Sequence, residues 1–149
     1  MFTLDAVMTT ELITLLPTAN LAEARELMHK HKIHHLPVVD DNNRLIGLVT
    51  LTNVLAATDS ILRDPDNSIH PADVGVKDIM VTDVATVDER ASLRQAALFL
   101  EKHRIGCLPV VTEGMLKGII TETDFVAVAI NLLEQLEDCE PDDEFAETA

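Results

Sequence analysis

Residues 31–40, HKIHHLPVVD, and residues 103–112, HRIGCLPVVT, are two versions of one segment. Their shared Leu-Pro-Val-Val starts at Leu36 in the first version and at Leu108 in the second, which is an offset of 72 residues. Similar segments at a fixed offset are typical of an internal repeat. The pair therefore predicts that the fold is built from two copies of one unit.

The repeat extends well beyond these two segments. The same offset relates Met8 to Met80, Thr14 to Thr86, Leu21 to Leu93, His31 to His103 and Ile33 to Ile105. Beyond the next polar stretch the offset falls by one residue, a loss that a surface turn tolerates. The sequence therefore predicts a first repeat at 1–62, a linker at 63–75, a second repeat at 76–136 and a tail at 137–149.

Each repeat reads as β-α-β-β-α. Its predicted elements are a short strand (12–16 or 84–87), a helix, the strand LPVV, the strand LIGLVT or LKGIIT, and a second helix (51–62 or 122–136). Capping-box pairs mark the start of the first helix in each copy: Asn20 with Glu23, and Ser92 with Gln95. A unit of about 60 residues buries little surface alone. We therefore expect an α+β fold in which two repeats pack with pseudo-twofold symmetry.

Composition excludes several classes of protein. The chain is 47% hydrophobic, enough for a core, yet it has no apolar run long enough to span a bilayer. Its first residues, MFTLDAVMTTEL, lack the basic start and apolar run of a secretory signal. Two cysteines, Cys107 and Cys139, make no disulfide framework and read as free thiols of a reducing compartment. These features predict a cytosolic protein.

The charge is strongly acidic. Eleven basic and 26 acidic residues give a net charge of −15, which repels nucleic acid and anionic membrane surfaces. Much of the excess lies near the C-terminus, in EQLEDCEPDDEFAETA. This composition predicts that residues 137–149 are a disordered tail, and a docking segment for a basic partner is the alternative.

Both repeats carry LPVV followed by G-h-h-T-x-x-D/N, where h is apolar, at residues 47–53 and 118–124. The doubled motif resembles the CBS (cystathionine-β-synthase) domain, and the tandem arrangement over most of the chain resembles a Bateman module. The resemblance implies a non-catalytic regulatory module that binds adenosine-containing ligands between its repeats and forms a flat homodimer. Such modules are commonly attached to enzymes or channels, and this chain resembles the members that stand alone and act on a separate partner protein.

The G-h-h-T-x-x-D/N motif is the main candidate site. Gly47 and Gly118 would allow another backbone to approach closely, and Thr50 and Thr121 fall where a strand gives way to a helix, a place that suits phosphate or ribose oxygens. The resemblance implies that Asn53 and Asp124 accept hydrogen bonds from ribose hydroxyls. Asp124 has two carboxylate oxygens for this task and Asn53 has one, so the site with Asp124 is expected to bind better. Helix capping by Thr-x-x-Asp is the alternative.

Two further pairs follow from the resemblance. Thr14 and Thr86, in the first strand of each repeat, would help to hold the ligand from the opposing repeat, although threonine also simply suits a strand. Val38 and Val110, in the LPVV strands, would give apolar walls to a base. The chain has no Trp or Tyr to stack on an adenine.

Four of the six histidines lie within residues 29–35. His29 and His31 fall in the last turn of a predicted helix, where cations complement the helix dipole. His34 and His35 start a strand, and because neighbouring strand residues point to opposite faces they cannot chelate one metal together. With no CxxC or HExxH spacing nearby, we predict no metal site. The resemblance implies that one of the pair, for which we favour His34, contacts the phosphates of the ligand.

The phosphate region departs from the family pattern. Many members carry Arg just before the final Asp, where this chain has Thr52 and Thr123. The missing charge favours a ligand with few phosphates, such as AMP, or a polyphosphate neutralised by magnesium, and empty sites are a further alternative. ADP, ATP, S-adenosylmethionine and NAD remain possible, and no cofactor is obligatory. A ligand-free module for dimerisation or docking is the competing hypothesis. No Ser-His-Asp set, metal constellation or phosphate-binding loop suggests an enzyme.

Overall fold

The computed structural model describes residues 3–66 and 68–139. The first repeat comprises α1 (Leu4–Val7), α2 (Leu21–His31), β1 (His35–Val39), β2 (Leu45–Thr50) and α3 (Leu51–Leu62). A 3₁₀ turn at Pro71–Asp73 leads into the second repeat, which comprises α4 (Val76–Ile79), β3 (Val87–Asp88), α5 (Leu93–His103), β4 (Cys107–Thr112), β5 (Met115–Thr121) and α6 (Glu122–Cys139). The predicted α+β fold of two repeats is confirmed.

The first long helix of each repeat begins and ends as its sequence predicts. The side chain of Asn20 accepts a hydrogen bond from the Glu23 amide at 2.9 Å. At α5, Ser92 and Gln95 form a reciprocal capping box. Both helices end in a left-handed residue, Lys32 at φ 54° and its equivalent Arg104 at φ 52°. His29, Lys30 and His31 therefore do lie in the last turn of α2, beside its free carbonyls.

The two hairpins explain why the offset between repeats changes by one residue. The β4–β5 turn is made by Glu113 and Gly114, both at positive φ, which matches the twist of the paired strands. The β1–β2 turn is longer, and Asp40 closes it by accepting hydrogen bonds from the amides of Asn42 and Arg44 at 2.8 and 2.9 Å. The extra residue thus lies in a surface turn.

The predicted first strands are mostly wrong. Of residues 12–16 only Leu15 forms a bridge, parallel to Val38, and the strand at 84–87 is reduced to β3, which pairs in parallel with β4. Strand β3 continues to Asp88, one residue beyond the predicted end. The apolar residues of these segments are still inward-facing: Leu15 is buried in the core of the first repeat, and Val87 packs on that of the second. Apolar patterning located the segments, but their backbones pair at too few positions to make full strands.

The first segment of each repeat packs against the sheet of the other repeat. The segment with α1 and Thr9 pairs with β5, where Thr9 and Ile119 exchange backbone hydrogen bonds of 2.9 and 3.0 Å. In the equivalent position Val81 exchanges bonds of 2.8 and 2.9 Å with Leu48 of β2. Leu4 is accordingly buried in the core of the second repeat and Val76 in the core of the first. The two units are therefore interlocked across the pseudo-twofold axis.

Helix α6 is longer than predicted. The sequence suggests a helix to residue 136 and a disordered tail from 137, but α6 continues to Cys139. Leu133 and Leu136 extend its apolar pattern, and propagation of an existing helix costs little. The rest of the predicted tail, residues 140–149, lies outside the described residues. Within the described residues no helix has the length and hydropathy needed to cross a membrane.

Candidate functional site

Two clefts open along the seam between the repeats, and each is lined by the threonine of one motif copy, Thr50 or Thr121. The Thr50 cleft, of about 370 Å³, is lined by Leu48, Thr50 and Thr52 of the first repeat and by Asp83, Val84 and Ile105 of the second. The Thr121 cleft, of about 360 Å³, is lined by Ile119, Thr121 and Thr123 and, from the first repeat, by Lys32, Ile33 and His34. Both volumes lie near the lower end of the range of about 300–1,000 Å³ typical of small-molecule sites.

The two clefts meet at the pseudo-twofold axis. His35 and Gly106 line both of them. These residues come from the segments just before the Leu-Pro-Val-Val strands, and the next residue, Cys107, lines the Thr50 cleft. A group bound in either cleft therefore lies close to the His35 ring.

The motif residues cap the second helix of each repeat. At α3, Thr50 and Asn53 form a reciprocal capping box, with bonds of 2.9 and 3.1 Å. At α6, Oδ2 of Asp124 accepts from the amide of Thr121 at 2.9 Å and from its hydroxyl at 3.3 Å. Within the described part of the chain, Oδ1 of Asp124 accepts no side-chain hydrogen bond. The only oxygen of the Asn53 side chain is used for capping, whereas Asp124 retains a second one.

The charges of the clefts differ. The Thr121 cleft carries Lys32, His34 and His35, set against the single carboxylate of Glu122. The Thr50 cleft has His35 and the carboxylate of Asp83. The difference arises because Gly106 stands in the second repeat where His34 stands in the first, and because Arg104, the equivalent of Lys32, does not line the Thr50 cleft. The Thr121 cleft is therefore the better environment for an anion.

Burial changes the acid–base chemistry of the seam. The pKa of His35 lies below its usual value, mainly because the ring is partly buried and secondarily because His34 is close; Glu122 opposes this shift. Burial raises the pKa of the Cys107 thiol to about 12. Cys107 is thus protonated at neutral pH and a poor nucleophile. Among the described residues no group of three or more His, Cys, Asp or Glu side chains could hold a metal ion.

Asn53 and Asp124 line neither cleft, although each is hydrogen-bonded to a threonine that does. Four further predicted contact residues also lie outside both clefts. Val38 and Val110 are fully buried in the two cores, so they have no surface to offer a ligand in this conformation. Thr14 is half-buried and lines neither cleft. Thr86 is exposed and lines a separate cavity of about 200 Å³. Their roles in ligand contact stay predictions that this geometry does not support.

The clefts also contain residues that the motif reading missed. The apolar walls are formed by Leu48, Val84 and Ile105 in one cleft and by Ile33 and Ile119 in the other. Ile33 and Ile105 are repeated at the offset of 72, so the repeat itself contained this signal. No sequence pattern indicated Asp83, because its position in the cleft depends on how the second repeat packs against the first.

Solved structures with this architecture are numerous. A Vibrio cholerae protein assigned to acetoin utilization (AcuB) is 42% identical with a TM-score of 0.80, covering 95% of this chain and 99% of that one. The structure of CBSX2 in complex with AMP is 29% identical with a TM-score of 0.76, covering 89% and 99% of the two chains. A CBS domain pair in complex with 5′-methylthioadenosine and S-adenosyl-L-methionine is 25% identical with a TM-score of 0.73, covering 86% and 99%.

The first curated sequence relatives match this chain over only part of their own length. A homoserine O-acetyltransferase of Methanocorpusculum labreanum is 36% identical over 111 residues, which are 74% of this chain and 20% of that enzyme. This chain spans between a fifth and two fifths of the first curated relatives that it matches. The CBS-domain profile matches it twice, at residues 4–60 and 76–131. With the interlocked repeats and paired clefts, these matches show that the chain belongs to the CBS-domain family as a tandem pair.

Proposed function

We propose that this chain is a non-catalytic regulatory module that binds adenosine-containing ligands in its inter-repeat clefts, with AMP as the favoured ligand of the Thr121 cleft. CBS pairs are typically regulatory modules, and similar solved pairs hold AMP, 5′-methylthioadenosine or S-adenosyl-L-methionine. The observation that carries the choice of cleft is that Lys32 and His34 line the crevice whose threonine, Thr121, is hydrogen-bonded to Asp124. ADP, ATP, S-adenosylmethionine and NAD are weaker candidates, and no cofactor is obligatory.

A ribose would bind near the start of α6. The second carboxylate oxygen of Asp124 accepts hydrogen bonds from a ribose hydroxyl while the first continues to cap the helix. Thr121 and Thr123 line the same cleft and offer hydroxyl groups to the ligand. An adenine lies between the aliphatic side chains of Ile33 and Ile119, which supply an apolar slot.

A phosphate would bind beside the cations of the first repeat. A phosphate monoester carries a charge of about −1.5 to −2 at neutral pH. Lys32 supplies a positive charge at one end of the cleft, and the rings of His34 and His35 beside it offer N–H groups for hydrogen bonds. Glu122 in the same lining disfavours further negative charge. One phosphate therefore suits this cleft better than three.

The regulatory action requires a partner. We propose that the chain forms a homodimer in the cytosol and that nucleotide binding at the seam changes the surface presented to a partner protein. A ligand can shift a conformational equilibrium only by the difference in its affinity for the two states. The interlocked segments 4–9 and 76–81 cross the seam beside each cleft, so they are the elements that a closing cleft would move. The alternative is a ligand-free dimerisation module.

The proposal is tested by titrating the purified chain with AMP in a calorimeter and in thermal unfolding. We expect an increase in melting temperature that grows with AMP concentration, because a ligand that binds only the folded state stabilises it. The calorimetric stoichiometry should be one strong site per chain. S-adenosylmethionine, NAD, ADP and ATP are titrated in parallel.

The absence of Trp and Tyr gives a direct check on nucleotide that co-purifies, since the protein itself absorbs little at 280 nm. Unchanged melting curves and no heat with any of the five ligands would contradict the nucleotide proposal and leave the ligand-free module. Strong binding of S-adenosylmethionine with none of AMP would retain the module but replace its ligand.

A further inference from the structure

One titratable ring borders both clefts. His35 begins β1, where Thr50 of β2 is its register partner, and it lines the Thr50 cleft and the Thr121 cleft. The ring edge with Nε2 and Cε1 faces Gly106 of the second repeat, where a Cβ atom would be 3.6 and 3.7 Å away. The carbonyl of Gly106 accepts a hydrogen bond of 3.2 Å from the amide of Glu122, the first residue of α6. The ring therefore lies between the clefts, beside the start of α6.

The second repeat has no counterpart to this ring. At the offset of 72, His35 corresponds to Cys107, whose buried thiol has a pKa of about 12 and is uncharged at neutral pH. His34 corresponds to Gly106, which has no side chain. The charge where the clefts meet therefore depends on a single group. Imidazole is the side chain that ordinarily changes its charge between about pH 5 and pH 8.

Charged and titratable groups from several elements surround this ring. Its chain neighbour His34 and Lys32, at the end of α2, both line the Thr121 cleft, as does Glu122. Asp83, from the segment before β3, lines the Thr50 cleft. Burial and then His34 hold the pKa of the ring below its usual value, whereas Glu122 favours the protonated form. Without a ligand the ring is therefore neutral at pH 7, and among the residues that line the Thr50 cleft only Asp83 is charged.

An anion in the Thr121 cleft changes this balance. A phosphate beside the ring favours the protonated form, because an opposite charge within about 4–6 Å raises the pKa of a histidine. The imidazolium also borders the Thr50 cleft, where it offsets the charge of Asp83 and offers an N–H group to a second anion. Two ligands that favour the same charge state of one group favour each other, and the effect is reciprocal.

We propose that His35 decides whether the Thr50 cleft accepts an anionic ligand. A phosphomonoester binds first in the Thr121 cleft, where Lys32 lies, and His35 takes up a proton from the solvent. The protonated ring then admits a second phosphomonoester to the Thr50 cleft. The two clefts therefore fill in order, and the second step depends on both the first ligand and the pH. This inference rests on the proposed nucleotide binding and adds a regulation to it.

Nuclear magnetic resonance of the isotope-labelled full chain follows both clefts and the ring together, with AMP as the probe. The amide signals of Ile119 and Thr123 report on the Thr121 cleft, and those of Thr52 and Val84 on the Thr50 cleft. The ring nitrogens of His35, assigned by triple-resonance spectra, give its titration midpoint. At AMP concentrations that fill only the Thr121 cleft, this midpoint should rise by at least ~0.5 pH units. Adenosine, which lacks the phosphate, should leave the midpoint unchanged.

The second binding step measures the coupling. In the starting chain, the AMP concentration that half-fills the Thr50 cleft should rise between about pH 6 and pH 8, as the ring loses its proton. This rise should exceed the rise in His35→Gln at least ~5-fold, and the titration of AMP itself is common to both proteins. His31→Gln is the matched control, because His31 is exposed and lines neither cleft, and it should behave like the starting chain.

The outcomes separate this inference from the proposed function. A midpoint that rises in the first step, with a pH dependence that only His35→Gln loses, supports the coupling. A midpoint that AMP leaves unmoved, a Thr50 cleft that stays empty at both pH values, or equal filling of that cleft in His35→Gln overturns it while nucleotide binding stands. If the signals of neither cleft respond to AMP, the proposed function fails and the coupling fails with it. The midpoint is measured on the unaltered chain, so this arm holds even if His35→Gln does not fold.

Discussion

The ring of His35 lies over Gly106: a Cβ atom placed on that glycine would be 3.6 Å from Nε2 of His35. The two residues come from different repeats and line both clefts. Because Gly106 has no side chain, the imidazole fills the space where the two crevices meet. His35 therefore borders both crevices.

The histidine at this junction predicts a specific dependence on pH. Partial burial, with a smaller contribution from His34, lowers the pKa of His35 in the folded chain, so protonation favours the unfolded chain. The free energy of unfolding should therefore fall as the pH drops below about 6.5 toward the folded pKa. His35→Gln should remove this component. Urea unfolding at pH 7.5 and pH 5.5 gives the change in the free energy of unfolding for each protein. Subtracting the change in His35→Gln from that in the starting chain isolates the contribution of His35, because the titration of the carboxylates is common to both proteins.

Ligand binding should respond to pH in the opposite sense. A phosphate beside His35 stabilises the imidazolium, so AMP affinity should increase as the pH falls through 6.5, and His35→Gln should flatten the profile. Adenosine, which lacks the phosphate, provides the control ligand. An AMP affinity that is independent of pH in both proteins would remove His35 from the phosphate site.

The motif acids should distinguish the two clefts. Asp124→Asn keeps a capping oxygen for the Thr121 amide but removes the charged second acceptor. It should weaken AMP binding by about tenfold or more, since a hydrogen bond to a charged group contributes about 1.5–3 kcal/mol. The reciprocal change, Asn53→Asp, gives the Thr50 cleft the acceptor that it lacks and should add a second, weaker site. Calorimetric titration gives both affinity and stoichiometry, and unchanged affinity in Asp124→Asn would refute the ribose assignment.

The cation at the end of α2 should recognise the phosphate alone. Lys32 is exposed, so its contribution is screened and Lys32→Gln should weaken AMP binding by about two- to fivefold, corresponding to about 0.4–1 kcal/mol. Adenosine affinity should not change. Lys30→Gln is the matched control, because Lys30 is exposed on the same helix but does not line the cleft. An equal loss for AMP and adenosine would indicate a structural effect of Lys32 rather than a phosphate contact.

The thiol at the seam should be inert. Burial raises the pKa of Cys107 to about 12, so almost none of it is thiolate at pH 8. In a Cys139→Ser variant, we expect Cys107 of the folded chain to react with a disulfide reagent ~100-fold more slowly than a free thiol. After unfolding in urea, Cys107 should react completely. The time course of reagent absorbance measures this. Rapid reaction in the folded chain would show that the seam opens readily.

The sequence predicted the repeated units well because their signals are local. Capping boxes, a two-residue turn with Gly114 and the helical spacing of apolar residues each depend on a few neighbouring positions. Strand alternation did not separate His34 from His35, because β1 begins at His35 and both residues line the Thr121 cleft. Which of them reaches the shared axis depends on where the second repeat lies, and no local pattern contains that information.

The same limit explains why two predicted contact residues are buried in the structure. Val38 and Val110 were expected to line a ligand site, but each LPVV strand is covered on both faces, by its own helices and by the segment crossing from the other repeat. A continuous apolar run is typical of such a strand. The sequence also did not predict that residues 4–9 and 76–81 each pack against the opposite repeat, because nothing in those short segments specifies which sheet they join.

That crossing leads to a test of how the repeats are held together. A Cβ on Gly118 would lie 2.7 Å from the sulfur of Met8 and 3.0 Å from the carbonyl oxygen of Thr9, at the point where the first segment pairs with β5. The thioether can move aside, but the hydrogen-bonded backbone cannot, so Gly118→Ala should lower the free energy of unfolding by about 1–3 kcal/mol.

The matched control for this test is Gly75→Ala. The nearest atom to a Cβ on Gly75 is a carboxylate oxygen of Asp78 at 3.6 Å, an ordinary contact, and its φ of −78° suits any residue. This control should change stability by less than about 0.5 kcal/mol. Urea unfolding followed by circular dichroism measures both variants. A Gly118→Ala protein as stable as the parent would mean that the segment at residues 4–9 is not held against β5, and the interlocking of the repeats would lose its main support.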